Sequence, residues 1–263
     1  MTILNVVLTH LPAPEVYEGV QYLHGIAPAS RFAICHGGRF EDFSRLEYTD
    51  KVFVDDPSLR APPRTFQSYH ETFALLYDRF LRNDPILGSV YIFEYDHLIL
   101  DGGFEQRITD LAVASGADFM GKTCVERTGT NWLHYLRFRN DRRLLTHLRS
   151  VSVHEDCARM YGCLGNGFWL TRAALEAYLA VIEHPPCYGE LYVPTLLHHL
   201  GFRVVDVDGH GDLYRYVRPD GEFLLSEVLR LKHHGETFVH PYKGTGGIHA
   251  LRGASSGTRA SAA

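Results

Sequence analysis

A chain of 263 residues with 45% hydrophobic and 12% aromatic content can bury a large core, which excludes a disordered or low-complexity polypeptide. Its formal charge of −5, from 26 Lys and Arg against 31 Asp and Glu, excludes a surface built throughout for nucleic acid but leaves room for a local basic cleft that holds phosphate. Five cysteines (Cys35, Cys124, Cys157, Cys163 and Cys187) are scattered, odd in number and without a Cys-x-x-Cys pair, as suits reduced thiols of a cytoplasmic protein rather than a disulfide framework or zinc site.

The chain opens on Ile3-Leu4-Asn5-Val6-Val7-Leu8, with no basic segment ahead of it and Pro12 and Pro14 behind it, so it reads as a first strand and not as a signal peptide. No apolar run reaches membrane-spanning length. Further strands are predicted over 31–35, Lys51–Val54 and 89–94. Between the last two, Phe66, Tyr69, His70, Phe73, Leu76, Tyr77, Phe80 and Leu81 recur at helical spacing. A capping box over Ser68–Glu71 supports that helix, and Pro62-Pro63 bounds it upstream. A helix over 104–114 and a short strand over 117–121 follow. Residues 123–160 are rich in Arg and His, interleaved with Trp132, Tyr135 and Phe138, and fit no single period. The Gly-rich segment Gly162–Leu170 leads to Thr171, a suitable N-cap, and to a helix with Leu175, Tyr178, Leu179 and Ile182 on one side, ended by Pro185-Pro186. Another helix runs to about Leu200, where Gly201 stops it, and a strand covers 202–207. From Gly253 onward the chain is Gly, Ala, Ser and Thr with Arg259, which predicts a disordered tail over 253–263. No repeat or linker divides residues 1–252, so one domain is expected.

Alternation of strands and helices implies an α/β fold with a Rossmann-like, mainly parallel central sheet flanked by helices. Ligands in such sheets sit beyond the carboxyl ends of the strands. At that edge the run Ser89-Val-Tyr-Ile-Phe ends in Glu94 and Asp96, two carboxylates one residue apart that share a face of the strand. Such hard oxygen donors suit Mg²⁺ or Mn²⁺ carrying phosphates. His10 follows the first strand and Arg39 follows the second, in His36-Gly37-Gly38-Arg39, where the glycines permit a nucleotide to approach. Glu190 stands at a helix start, because Pro194 has no amide to give to its carbonyl. The helix dipole there favours an ionised carboxylate, as a general base requires. Late in the chain, His240 offers a nitrogen ligand and Lys243 a point charge for phosphate oxygens. A rival site is His210-Gly211-Asp212, half of an iron facial triad that His233, His234 or His240 would complete; the same glycines and aspartates also suit an exposed turn.

The order of these segments, over roughly residues 1–245, resembles the GT-A family of nucleotide-sugar-dependent glycosyltransferases. The resemblance implies a single GT-A-like domain and a transfer of sugar from a nucleotide diphosphate, most often UDP, to an acceptor hydroxyl. Glu94-Tyr95-Asp96 would be its acid-x-acid motif, with Asp96 the main ligand for Mn²⁺ or Mg²⁺ and His240 the late ligand. Lys243 would neutralise the leaving diphosphate, and His10 and Arg39 would border the nucleotide. Gly165-Asn166-Gly167-Phe168-Trp169 resembles the acceptor-side wall, which assigns Phe168 and Trp169 to acceptor binding, and Glu190 occupies the place of the base in inverting members. A glycan, a lipid-linked molecule or a small molecule would be the acceptor, and no nucleic acid is expected. Two departures stand out: the first acid is Glu instead of Asp, and Glu190 is followed by Leu191 where many members carry a second acid. The alternatives are the iron oxygenase built on His210 and Asp212, and a non-catalytic nucleotide- or glycan-binding member of the same fold.

Overall fold

The computed structural model describes residues 2–55, 69–244, 247–248 and 251. Phe66, Ser68 of the capping box, Pro62-Pro63 and the tail from Gly253 lie outside the described residues.

β1 (Thr2–Thr9) is followed by α1 (Ala13–Ile26), β2 (Arg31–His36), α2 (Phe40–Arg45) and β3 (Lys51–Phe53). α3 (His70–Leu76) continues as a π-helical turn over Tyr77–Leu81 into β4 (Leu87–Glu94) and the short β5 (Leu98–Ile99). Then come α4 (Phe104–Ser115), β6 (Phe119–Glu126), α5 (Leu133–Phe138), α6 (Arg142–Val151), β7 (Tyr161–Thr171) and α7 (Arg172–Ala180). α8 (Gly189–His199), β8 (Val204–Asp206), α9 (Leu225–His233) and β9 (Phe238–Val239) complete the described chain.

Among the described residues seven strands form one sheet in the order β3-β2-β1-β4-β7-β6-β8, and β5 pairs with β9 in a second, two-stranded sheet. In the large sheet only β7 runs against its neighbours: β4 and β6 flank it antiparallel, while the other pairings are parallel. The sheet is therefore mainly parallel, as expected. Its inner strands bury both faces. Leu4, Val6, Val90, Ile92, Phe168 and Leu170 enter one core layer, and Ile3, Val7, Tyr91, Phe93 and Trp169 enter the other, which is the two-residue alternation of a strand covered on both sides. No helix among the described residues is long and apolar enough to cross a membrane.

Several elements depart from the sequence reading. Pro12 and Pro14 do not merely close β1; they open α1, where a missing amide hydrogen costs nothing. Tyr69 is not helical: it precedes α3 at φ 53°. The Gly-rich stretch is a strand, β7, in the middle of the sheet. Thr171 does cap α7 by accepting the Ala174 amide, but that helix stops at Ala180, so Ile182 is 95% exposed instead of packed. The stretch without a period holds the end of β6 and the helices α5 and α6.

Candidate active site

Parallel register brings the carboxyl ends of β1, β2 and β4 together, with Leu8 opposite Glu94 and Thr9 opposite His36. Beyond them lies a cavity of about 860 Å³ lined by His10, Arg39, Tyr69, Glu94, Asp96 and Lys243 among others, within the size range of small-ligand sites. Five residues chosen from sequence thus share one cavity. His10 meets the Tyr95 ring edge-on at 5.1 Å. Arg39 is exposed and ion-paired to Glu41 at 3.6 Å. Lys243 is exposed at the cavity rim.

β4 ends at Glu94, and the chain turns at once, the His97 amide donating to the Glu94 carbonyl at 2.9 Å. The two acids meet through this turn rather than along a continuing strand. The returning C-terminal segment is fastened beside them, because the Tyr242 amide donates to the Asp96 carbonyl at 2.9 Å. That bond sets His240 next to Asp96. Ligand atoms of Glu94, Asp96 and His240 all lie within 4.8 Å of one another, the group of its kind among the described residues.

The chemistry of this trio suits a divalent cation. His240 Nδ1 lies 2.7 Å from the Arg218 carbonyl, which can only accept, so Nδ1 carries the hydrogen and Nε2 presents a lone pair. Nε2 faces Asp96 Oδ1 at 3.3 Å. That oxygen is buried and receives no hydrogen bond from the described residues. Two acceptors facing each other at this distance, with Glu94 as a third, are stabilised by a positive centre. Asn166 of β7 packs against the same ring, its side-chain amide 2.9 Å from His240 Nδ1, a contact rather than a donated bond because Nδ1 already carries the hydrogen.

Glu190 sits in the first turn of α8, and its Oε1 accepts the Gly165 amide hydrogen at 2.6 Å. It does not line the 860 Å³ cavity. Burial pushes its carboxyl up to about 7, against the lowering effect of the Gly165 and Tyr188 hydrogen bonds and of Arg127. The helix start therefore does not dominate its ionisation, contrary to the sequence reading; desolvation does. Burial, and then the neighbouring Asp96 carboxylate, push Glu94 to about 7 as well. Glu190 adds to the rise at Glu94, so the two acids are close enough to repel.

Glycines in β7 follow from these neighbours. A Cβ on Gly165 would lie 2.8 Å from Glu190 Oε1, and one on Gly167 would lie 2.9 Å from both His97 Cε1 and the Tyr91 hydroxyl. Phe168 and Trp169, assigned to the acceptor from sequence, are 2% and 3% exposed and belong to the two core layers. They are core residues and offer no face to a sugar. His210, Asp212, His233 and His234 are exposed and join no group of three metal-ligand side chains among the described residues.

Sequence reasoning missed Asn166, Tyr69, Tyr188 and His97. Asn166 carried a signal: a polar residue in an apolar, glycine-flanked strand needs a partner. Tyr69 is buried at the cavity wall, near enough to feel the charges of both Glu94 and Glu190. Buried His97 is kept neutral by desolvation and bonds the Tyr91 hydroxyl at 2.9 Å.

A mixed α/β sheet with an acid and histidine trio at its strand ends is thus the frame. No protein-family model and no curated protein sequence matches the chain. Among solved structures it is similar to the galactosyltransferase LgtC in complex with donor and acceptor sugar analogs, at 11% identity and TM-score 0.41, over 97% of this chain and 96% of that one. A glycosyltransferase involved in glycosylation of the major capsid of PBCV-1 aligns at 10% identity and TM-score 0.42, over 97% and 100%. The mannosyltransferase PcManGT from Pyrobaculum calidifontis, in complex with GDP-Man and Mn²⁺, aligns at 11% and 0.44, over 99% and 76%.

Proposed function

We propose that this protein is a metal-dependent glycosyltransferase that moves a sugar from a nucleotide diphosphate sugar, of the UDP class, to an acceptor hydroxyl with inversion. The observation that carries the reading is the Asp96 and His240 pair: a buried, unbonded carboxylate oxygen faces an imidazole lone pair at 3.3 Å, on a cavity large enough for a nucleotide. Mn²⁺ or Mg²⁺ held by Glu94, Asp96 and His240 would offset the charge of the donor diphosphate.

The chain's own residues supply the rest. Lys243 and Arg39, both on the cavity, bring cationic donors to phosphate oxygens. Glu190, with a carboxyl near 7, is matched to proton abstraction at neutral pH. The acceptor oxygen attacks the anomeric carbon while its proton passes to Glu190. The bond from that carbon to the diphosphate oxygen breaks, and the electron pair stays on the diphosphate beside Lys243. Tyr188 and the Gly165 amide hold Glu190 in place. The acceptor wall is left to residues other than Phe168 and Trp169.

Thermal-shift titration with UDP, GDP and CMP in the presence of Mn²⁺ tests the reading, with stabilisation by a nucleoside diphosphate as the expected result. Stabilisation by iron with 2-oxoglutarate and not by any nucleotide would replace it with the oxygenase reading. Nucleotide binding without donor hydrolysis or transfer across a panel of nucleotide sugars would leave a binding protein.

A further inference from the structure

Between Arg127 and Ser150 the chain carries six arginines against one acid, Asp141, in a protein whose net charge is −5. Asp141 is engaged, its carboxylate capping α6 by accepting the Leu144 amide at 2.9 Å. Arg137, Arg139, Arg142, Arg143 and Arg149 are all exposed, and none of the five is ion-paired with a carboxylate of the described residues. Two exposed leucines stand on α5, with Arg137 one helical turn from Leu133. Leu133 is 71% and Leu136 38% exposed; three residues apart, they lie on one face of α5. In α6 the buried Leu144 and Leu148 fix the inner face, which leaves Arg142 and Arg149, seven residues apart, together on the outer one.

Exposed guanidinium groups beside exposed leucines are the chemistry of a bilayer interface. The charges are drawn to anionic headgroups, and the leucines enter the boundary with the acyl chains. A soluble polyanion would match the arginines but leave Leu133 in water. We infer that α5 and α6 dock this protein peripherally on a bilayer surface carrying anionic lipids.

The surface adjoins the candidate base. Trp132, which precedes α5, packs so closely on β7 that a Cβ on Gly162 would lie 2.3 Å from its ring. The next ring along, His134, stacks on Tyr188 at 3.7 Å between centroids, and Tyr188 hydrogen-bonds Glu190. A lipid-linked acceptor would reach Glu190 from this side; that consequence rests on the transferase reading, whereas docking itself does not.

Co-sedimentation of the full chain with vesicles tests the inference without any transfer readout. Wild-type protein is expected to pellet with an equal mixture of phosphatidylglycerol and phosphatidylcholine, and to stay in solution with phosphatidylcholine alone. Arg142→Gln with Arg143→Gln should weaken binding on the order of 20-fold, from the contribution of each basic residue near an anionic surface. Leu133→Ser with Leu136→Ser should weaken it several-fold at unchanged charge. All four side chains are exposed, and unchanged circular dichroism and unfolding midpoint verify that the variants fold. Wild-type protein that ignores both vesicle types overturns the inference. So does a leucine variant that pellets as well as wild type while heparin displaces both, because the patch would then be a site for a soluble polyanion.

Discussion

Glu190 Oε1 accepts the Gly165 amide hydrogen at 2.6 Å, which ties the glycine-rich strand β7 to the first turn of α8 at the candidate base. The same strand supplies Asn166, whose amide reaches the ring of the candidate metal ligand His240 at 2.9 Å. Adjacent residues on one strand thus steady the two halves of the proposed chemistry: the oxygen that takes the proton, and the nitrogen that faces Asp96.

Replacing Glu190 with Gln keeps an oxygen for the Gly165 amide and removes the base. Turnover is expected to fall on the order of 10²- to 10⁴-fold, the usual contribution of a positioned base, with nucleotide affinity unchanged. Steady-state kinetics alongside nucleotide titration reads both. Full turnover in this variant would take Glu190 out of the mechanism.

The pH response has opposite signs for rate and stability. Burial lifts the Glu190 carboxyl from 4.5 to about 7, and a base acts only when ionised, so turnover should rise through about pH 7 and level off above it. The folded chain holds this proton more tightly than the unfolded chain does. Its contribution to stability is therefore full below 4.5 and is lost as pH rises to about 7. Glu190→Gln should remove on the order of 2 kcal/mol of that loss, allowing for partial exposure. Urea unfolding of wild type and variant from about pH 5 to pH 8 measures the difference in slope.

Metal affinity is expected to divide by the role of each side chain. Asp96→Ala and His240→Ala should abolish stabilisation by Mn²⁺, because each removes a donor atom. Asn166→Ala leaves the trio and the Nδ1–Arg218 hydrogen bond intact but removes a contact from the His240 ring, and should weaken Mn²⁺ binding by about 10-fold at most. Thermal-shift titration with Mn²⁺ alone checks all three. Equal Mn²⁺ stabilisation in Asp96→Ala and wild type would refute the metal assignment.

The parallel half of the sheet and the strand-end position of Glu94 were legible in the sequence, because β1, β2 and β4 are short β-branched and aromatic runs with no competing helical period. Asp96 was legible for a partly wrong reason. Strand alternation placed it beside Glu94, whereas a turn does so. β7 was harder to read: its five central residues include two glycines, which propensity marks as a loop, and only the facing Glu190 and His97 explain them. Phe168 and Trp169 were assigned to the acceptor because Gly165–Trp169 resembles an acceptor-side wall, and pattern alone does not show that an interior strand buries both rings. Nor could sequence show the ionisation of Glu190, which depends on how many atoms surround it.

The two β7 glycines should separate function from stability. Gly165→Ala places a methyl 2.8 Å from Glu190 Oε1 and 3.2 Å from its Cγ, at a backbone position whose φ is not in the left-handed region. The Glu190 side chain can swing away, so the expected effect is a loss of turnover, on the order of 10-fold or more for a displaced base, with a small change in unfolding midpoint. Gly167→Ala meets rigid neighbours, the buried His97 ring and Tyr91 hydroxyl, and its φ of +101° is strained for any L side chain. That variant should lose about 2–4 kcal/mol of stability from backbone strain plus overpacking. Urea unfolding and kinetics on both variants make the comparison. Gly165→Ala with wild-type turnover would show that the Gly165–Glu190 hydrogen bond does not position a base.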